Sequence, residues 1–110
     1  PLVNLRVMAR YLNKLQEQGN EIIIISWTSK GGTDEYNARV ARAKERWLAR
    51  HLKSVTFDEI NIVPYGTPKE IFGNENAILF DDEEKNRENW CGTAYDVENI
   101  LEILKNLLDK

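Results

Sequence analysis

Two adjacent carboxylates, Asp81 and Asp82, close the apolar run Ala77-Ile78-Leu79-Phe80. Neighbouring acids repel, and they persist most easily where a cation, a lysine or hydrogen-bond donors offset their charge. The pair is therefore a candidate divalent-metal site. Three further polar points fall at or just past the ends of expected strands: Ser26 with Thr28, the stretch from Tyr65 to Lys69, and Asp96. Lys69 is expected in the first turn of a short helix, where free backbone N–H groups and the helix dipole already favour an anion. A hydroxyl, such a lysine and a carboxylate pair able to hold Mg²⁺ together suit a phosphoryl group.

The elements that must position these residues alternate along the chain. A first helix carries Leu5, Met8, Leu12 and Leu15 at spacings of three and four, with Pro1 in its first turn and Gly19-Asn20 at its end. Four consecutive isoleucines, Ile22 to Ile25, lead into Ser26 as the strongest buried-strand signal, while the run Ala77 to Phe80 predicts a strand buried on both faces. After the flexible loop Thr28-Ser29-Lys30-Gly31-Gly32, a second helix opens at Asp34 and Glu35, with Tyr36, Val40, Trp47, Leu48 and Leu52 as its apolar stripe. Ile60 to Val63 predicts a strand stopped by Pro64, and Thr67-Pro68-Lys69-Glu70 has the form of a capping box before one short turn closed by Gly73. Ala77 to Asp81 predicts the next strand, followed by a polar turn or helix from Asp82 to about Asn89. Thr93 to Tyr95 predicts a short strand, and Asp96 caps a last helix with Val97, Ile100, Leu101, Leu104 and Leu108 inward. Strands alternating with helices imply a mostly parallel sheet, whose C-terminal strand ends share one edge where distant residues can converge.

A chain of 110 residues, 42% hydrophobic and 30% charged, suits one globular domain over 1–110. The net charge of -3 supplies no overall basic field, so neither nucleic acid nor a membrane surface is expected as a partner. A single cysteine, Cys91, points to a reducing cytoplasm. No stretch approaches the roughly 20 apolar residues of a membrane helix. A doubly wound unit normally opens on a strand, whereas this chain opens on a helix. A first strand lost upstream, leaving the domain N-terminally incomplete, is the simplest expectation.

These residues resemble the haloacid dehalogenase-like superfamily of phosphohydrolases, and the resemblance covers nearly the whole chain. The opening helix, Gly19 and the isoleucine strand are similar to a family segment whose strand ends in a Ser or Thr that binds the transferring phosphoryl group. Ser26 matches that position, with Thr28 as the fallback and Trp27 between them. Lys69 is similar to the family lysine that offsets charge on the nucleophile and phosphoryl group. Asp81-Asp82 matches the acidic motif that holds Mg²⁺, and Asn86 stands where an additional polar residue often follows. Gly92-Thr93-Ala94-Tyr95-Asp96 looks like the last strand and the start of the closing helix. The wording is closest to small phage or bacterial members without a cap domain.

The resemblance implies a three-layer α/β/α sandwich, Mg²⁺ as cofactor, and a phosphorylated small molecule, with a nucleotide among the candidates. Ser26 and Lys69 would be its catalytic residues, Ser26, Trp27, Thr28 and Lys69 would bind substrate, and Asp81, Asp82 and Asn86 would serve the metal. One departure matters. The family nucleophile sits in an Asp-x-Asp motif, and no Asp-x-Asp occurs in these 110 residues. Two readings stay open: a phosphohydrolase whose nucleophile segment lies outside this chain, or a non-catalytic relative acting as a binding domain. In the second, exposed strand edges would invite a partner strand or a homodimer.

Plainer roles exist for each residue. Ser26 can be a turn hydroxyl, Lys69 a solvated helix residue, Asp82 an N-cap and Asn86 a surface amide. The N-cap role does not explain Asp81. His51 suits a helix C-terminus, Trp47, Trp90 and Cys91 read as core, and the basic residues of the second helix read as a solvated face. The loop Lys30-Gly31-Gly32-Thr33 lacks the spacing of a phosphate-binding P-loop.

Overall fold

The computed structural model describes residues 4–110, so the expected place of Pro1 lies outside the described residues. The chain divides into two units, 1–67 and 68–110.

In the first unit, helix α1 spans Leu5–Glu17 and begins where the Asn4 side chain accepts a hydrogen bond from the Val7 N–H. It ends in a Schellman turn. Gly19 takes φ +97°, its N–H donates to the Gln16 carbonyl, and the Asn20 N–H reaches back to Leu15. The 3.6-residue spacing of its apolar side chains gives one inward stripe. Leu5, Met8 and Leu12 pack on a core of Ala9, Leu52 and Val55, joined by Ile22, Leu48 and Phe57.

Strand β1 (Ile23–Trp27) pairs in parallel with β2 (Glu59–Val63), Ile24 facing Ile60 and Trp27 facing Val63. Helix α2 (Asp34–His51) supplies the crossover. Thr33 caps it through the Tyr36 N–H, acids open it, and Arg50 and His51 close it, each matching the dipole.

In the second unit a 3₁₀ turn, Lys69–Phe72, leads to β3 (Ile78–Phe80), helix α3 (Glu84–Asn89) and β4 (Thr93–Tyr95). β3 and β4 are parallel, with Phe80 facing Tyr95. A second 3₁₀ turn, capped by Asp96 through the Glu98 N–H, runs into α4 (Ile100–Leu108). Leu79 and Leu104 are the buried apolar residues of this unit.

The chain is thus an α/β protein with four α-helices and two short parallel strand pairs among the described residues. Several finer expectations are corrected. The isoleucine strand is only half-buried, Ile60 beside it is 45% exposed, and Ile78, in the run expected to be buried on both faces, is 38% exposed. A two-stranded ladder leaves each strand one edge without a strand partner among the described residues, which limits its cover. Trp47 is 43% exposed and packs on His51, and Cys91 is exposed instead of core. The capping box at Thr67 does not form. The Thr67 hydroxyl donates to the Pro64 carbonyl at 2.7 Å, closing the preceding turn instead.

Candidate functional site

Polar strand ends occur in both units. In the second, Asp81 extends the β3 ladder through its N–H to the Tyr95 carbonyl and is the one buried charged residue among those described. Its Oδ2 accepts from Lys69 Nζ at 2.7 Å and from Asn86 Nδ2 at 3.2 Å, while Oδ1 accepts from the Glu83 N–H at 2.8 Å. The Lys69 and Asp81 side chains are 13% and 3% exposed, so the pair sits in reduced dielectric. Burial pushes the Asp81 carboxyl up. The Lys69 hydrogen bond, the Glu83 N–H, the Lys69 charge and the Asn86 amide together outweigh it and hold the group below its ordinary value.

Each partner arrives by a local device. Pro68 fixes the entry to the 3₁₀ turn, setting Lys69 as its first residue. Neither Asp81 nor Asp82 caps α3, whose N-cap is Glu83 with no side-chain hydrogen bond; the Asp81 carboxylate instead takes the Glu83 N–H two residues on, closing an Asx turn ahead of the helix. Asn86 follows on the first turns of α3. Arg87, which sequence reasoning passed over, donates to the Asp81 carbonyl at 3.0 Å and lies 3.5 Å from Asp96 Oδ2, tying the ends of β3 and β4. Asp82 is exposed.

The donor set bears directly on Mg²⁺. Both Asp81 oxygens already hold nitrogen donors, and among the described residues no three His, Cys, Asp or Glu side chains gather for a metal. Magnesium commonly needs only one or two carboxylates when substrate phosphate completes its shell. Asp82, Glu83 and Glu84, next along the chain, are exposed carboxylates.

In the first unit, Ser26 Oγ accepts a hydrogen bond from Lys44 Nζ at 2.8 Å, and Lys44 also donates to the Trp27 carbonyl. An ammonium only donates, so the Ser26 hydroxyl proton is left to point at another acceptor. The Trp27 indole N–H donates to Thr67 at 2.8 Å, and its ring meets Tyr65 at 4.9 Å. Thr28 is held by its N–H to the Val63 carbonyl, and the following loop is tied by Asn37, which accepts from the Ser29 N–H and donates to the Gly32 carbonyl. Lys44 too was missed. Its signal was present: it falls four residues after Val40 and four before Leu48, within the half-buried stripe of α2.

The structure brings Lys69, Asp81 and Asn86 together, and places Ser26, Trp27 and Thr28 on one strand end beside Lys44. Fold and strand-end chemistry define an α/β protein with a buried lysine–carboxylate centre. Comparison of the chain with protein-family models, curated proteins and solved structures found no match in any of the three.

Proposed function

We propose that this chain is a phosphoryl-handling α/β domain of haloacid dehalogenase-like type, with the three-layer sandwich that such a domain would have. The Lys69–Asp81 pair carries the reading: a lysine held by a buried, depressed carboxylate at a strand end is built to keep its charge in one place. Asn86 and the Glu83 N–H keep that carboxylate from rotating. In the second unit Lys69 would attract phosphoryl oxygens; in the first, taken by itself, the Ser26 and Thr28 hydroxyls would be the donors for phosphate. Mg²⁺, held through Asp82 and the substrate's own phosphate, would offset negative charge. With no Asp-x-Asp in the sequence, these residues bind and orient a phosphoryl group and do not attack it.

Two-dimensional NMR with inorganic phosphate and Mg²⁺ tests this reading. Amide shifts at Ser26, Thr28, Lys69 and Asp82 are expected, those at Asp82 requiring both additions. Silence at all four positions sinks it.

A second reading, a non-catalytic relative that acts by association, is favoured by the strand edges that carry no partner strand among the described residues. Light scattering separates the two, because a concentration-independent monomer removes the homodimer.

A further inference from the structure

The net charge is negative, yet five of the ten Lys and Arg residues of the first unit line one hollow. A hollow of about 640 Å³ is lined by Arg6, Arg10 and Lys14 on α1, and by Arg50, His51 and Lys53 at the end of α2. Glu17 is the one acid in that lining. Among the described residues, none of the five Lys and Arg side chains is in an ion pair. All five are exposed. Like charges held around one concavity repel, and an anion entering it relieves that repulsion while its field raises the local anion concentration.

The arrangement selects among anions. Arg6, Arg10 and Lys14 recur every four residues, so they stand in a row with about 6 Å between successive members along the helix axis. A row suits a chain of charges better than a single one. Trp47, one turn before His51 on α2, meets the hollow through that histidine: it is 43% exposed and its ring packs on His51 with centroids 4.8 Å apart. A row of cations tracking a backbone, with an exposed indole next to it on which a base can stack, is the pairing that single-stranded nucleic acids use. A duplex keeps its bases stacked internally and leaves that indole idle.

We propose that the α1–α2 hollow binds a single-stranded polynucleotide, its phosphates along Arg6, Arg10 and Lys14 and a base on Trp47. The proposal stands apart from the phosphoryl-handling reading, since it uses none of the same residues.

Fluorescence polarisation with labelled single strands of about 12 nucleotides, one of deoxythymidine and one of uridine, tests it at low salt. Binding is expected, with a logarithmic salt slope of about -2 for the three phosphate contacts along Arg6, Arg10 and Lys14. Arg10→Glu with Lys14→Glu should weaken binding at least tenfold and flatten the slope. Trp47→Ala should weaken it about fivefold or more with the slope unchanged, which a purely electrostatic surface would not show. The two oligomers decide between DNA and RNA, and either one binding supports the site. Thermal melts of the variants should match the parent, because all three side chains are exposed. No binding at low salt, indifference to the charge reversal, or equal affinity for a duplex of the same length or for anionic vesicles overturns the proposal.

Discussion

Trp90 covers Gly73 so closely that a Cβ at Gly73 would lie 2.2 Å from the indole Cη2 and 2.4 Å from Cζ2. The ring cannot swing aside freely, because its N–H donates to the Ala77 carbonyl at 3.0 Å. Gly73 ends the 3₁₀ turn that Lys69 begins, so this contact helps fix where the lysine stands. Gly73→Ala should cost about 1–3 kcal/mol by overpacking, measured by urea denaturation. Trp90→Ala in the same chain should recover part of the loss, and simple additivity of the two would show that the ring is not the obstacle.

Breaking the Lys69–Asp81 pair from one side should be worse than removing both charges. Lys69→Met leaves a buried carboxylate uncompensated and should destabilise by ~3 kcal/mol or more. Lys69→Met with Asp81→Asn should be milder than Lys69→Met alone, since no charge is stranded. Equal losses in the single and double variants would mean the pair contributes little.

The depressed Asp81 carboxyl also sets a pH dependence. A carboxyl lowered on folding from its ordinary 3.8 contributes stability in full above that value and loses it as pH falls through the lowered one. Asp58 adds in the same direction, its carboxyl lowered by the Ile22 N–H at 2.6 Å and by the Gln16 amide at 3.1 Å. Melting temperature should therefore fall steeply below pH 4, and Asp81→Asn should flatten that acid limb. A limb of unchanged slope would assign acid unfolding to other groups.

Lys44 should act on phosphate through Ser26. Lys44→Met frees the hydroxyl to point back toward α2, so the phosphate-induced shift at Ser26 should need several-fold more phosphate. Lys44→Arg, which keeps a cationic donor, should stay closer to the parent. Once Ser26→Ala is in place, Lys44→Met should add little, read from the Thr28 shift. A full effect of Lys44→Met on that background would make Lys44 a phosphate contact in its own right.

The periodic parts of the fold were legible because local pattern decides them. The apolar stripe of α1, the Gly19-Asn20 stop and the Thr93–Tyr95 strand follow from spacing and from the φ that glycine permits. Burial was less legible. Four isoleucines predict a buried strand, but cover depends on which strands lie alongside, and composition is blind to that. At the candidate site, Asp81 and Lys69 could be picked out by type and position. That Asp81 turns back onto the Glu83 N–H while Asp82 stays exposed depends on the backbone direction at residue 83, which no spacing reveals. Lys44 was read with the other basic residues of the second helix as a solvated face, while in the structure its long stem crosses half-buried ground to reach Ser26 and Trp27.

The two parallel pairs differ in the chain each must loop out before it can close. Residues 28–58 separate β1 from β2, whereas residues 81–92 separate β3 from β4. Loop-closure entropy rises with length, and long sequence separation slows the search. The β3–β4 pair, with its lysine–carboxylate centre, should therefore gain amide protection earlier in refolding than β1–β2. Pulse-labelled hydrogen exchange would display the order, and it would make the buried ion pair of this protein one of the first features to take shape.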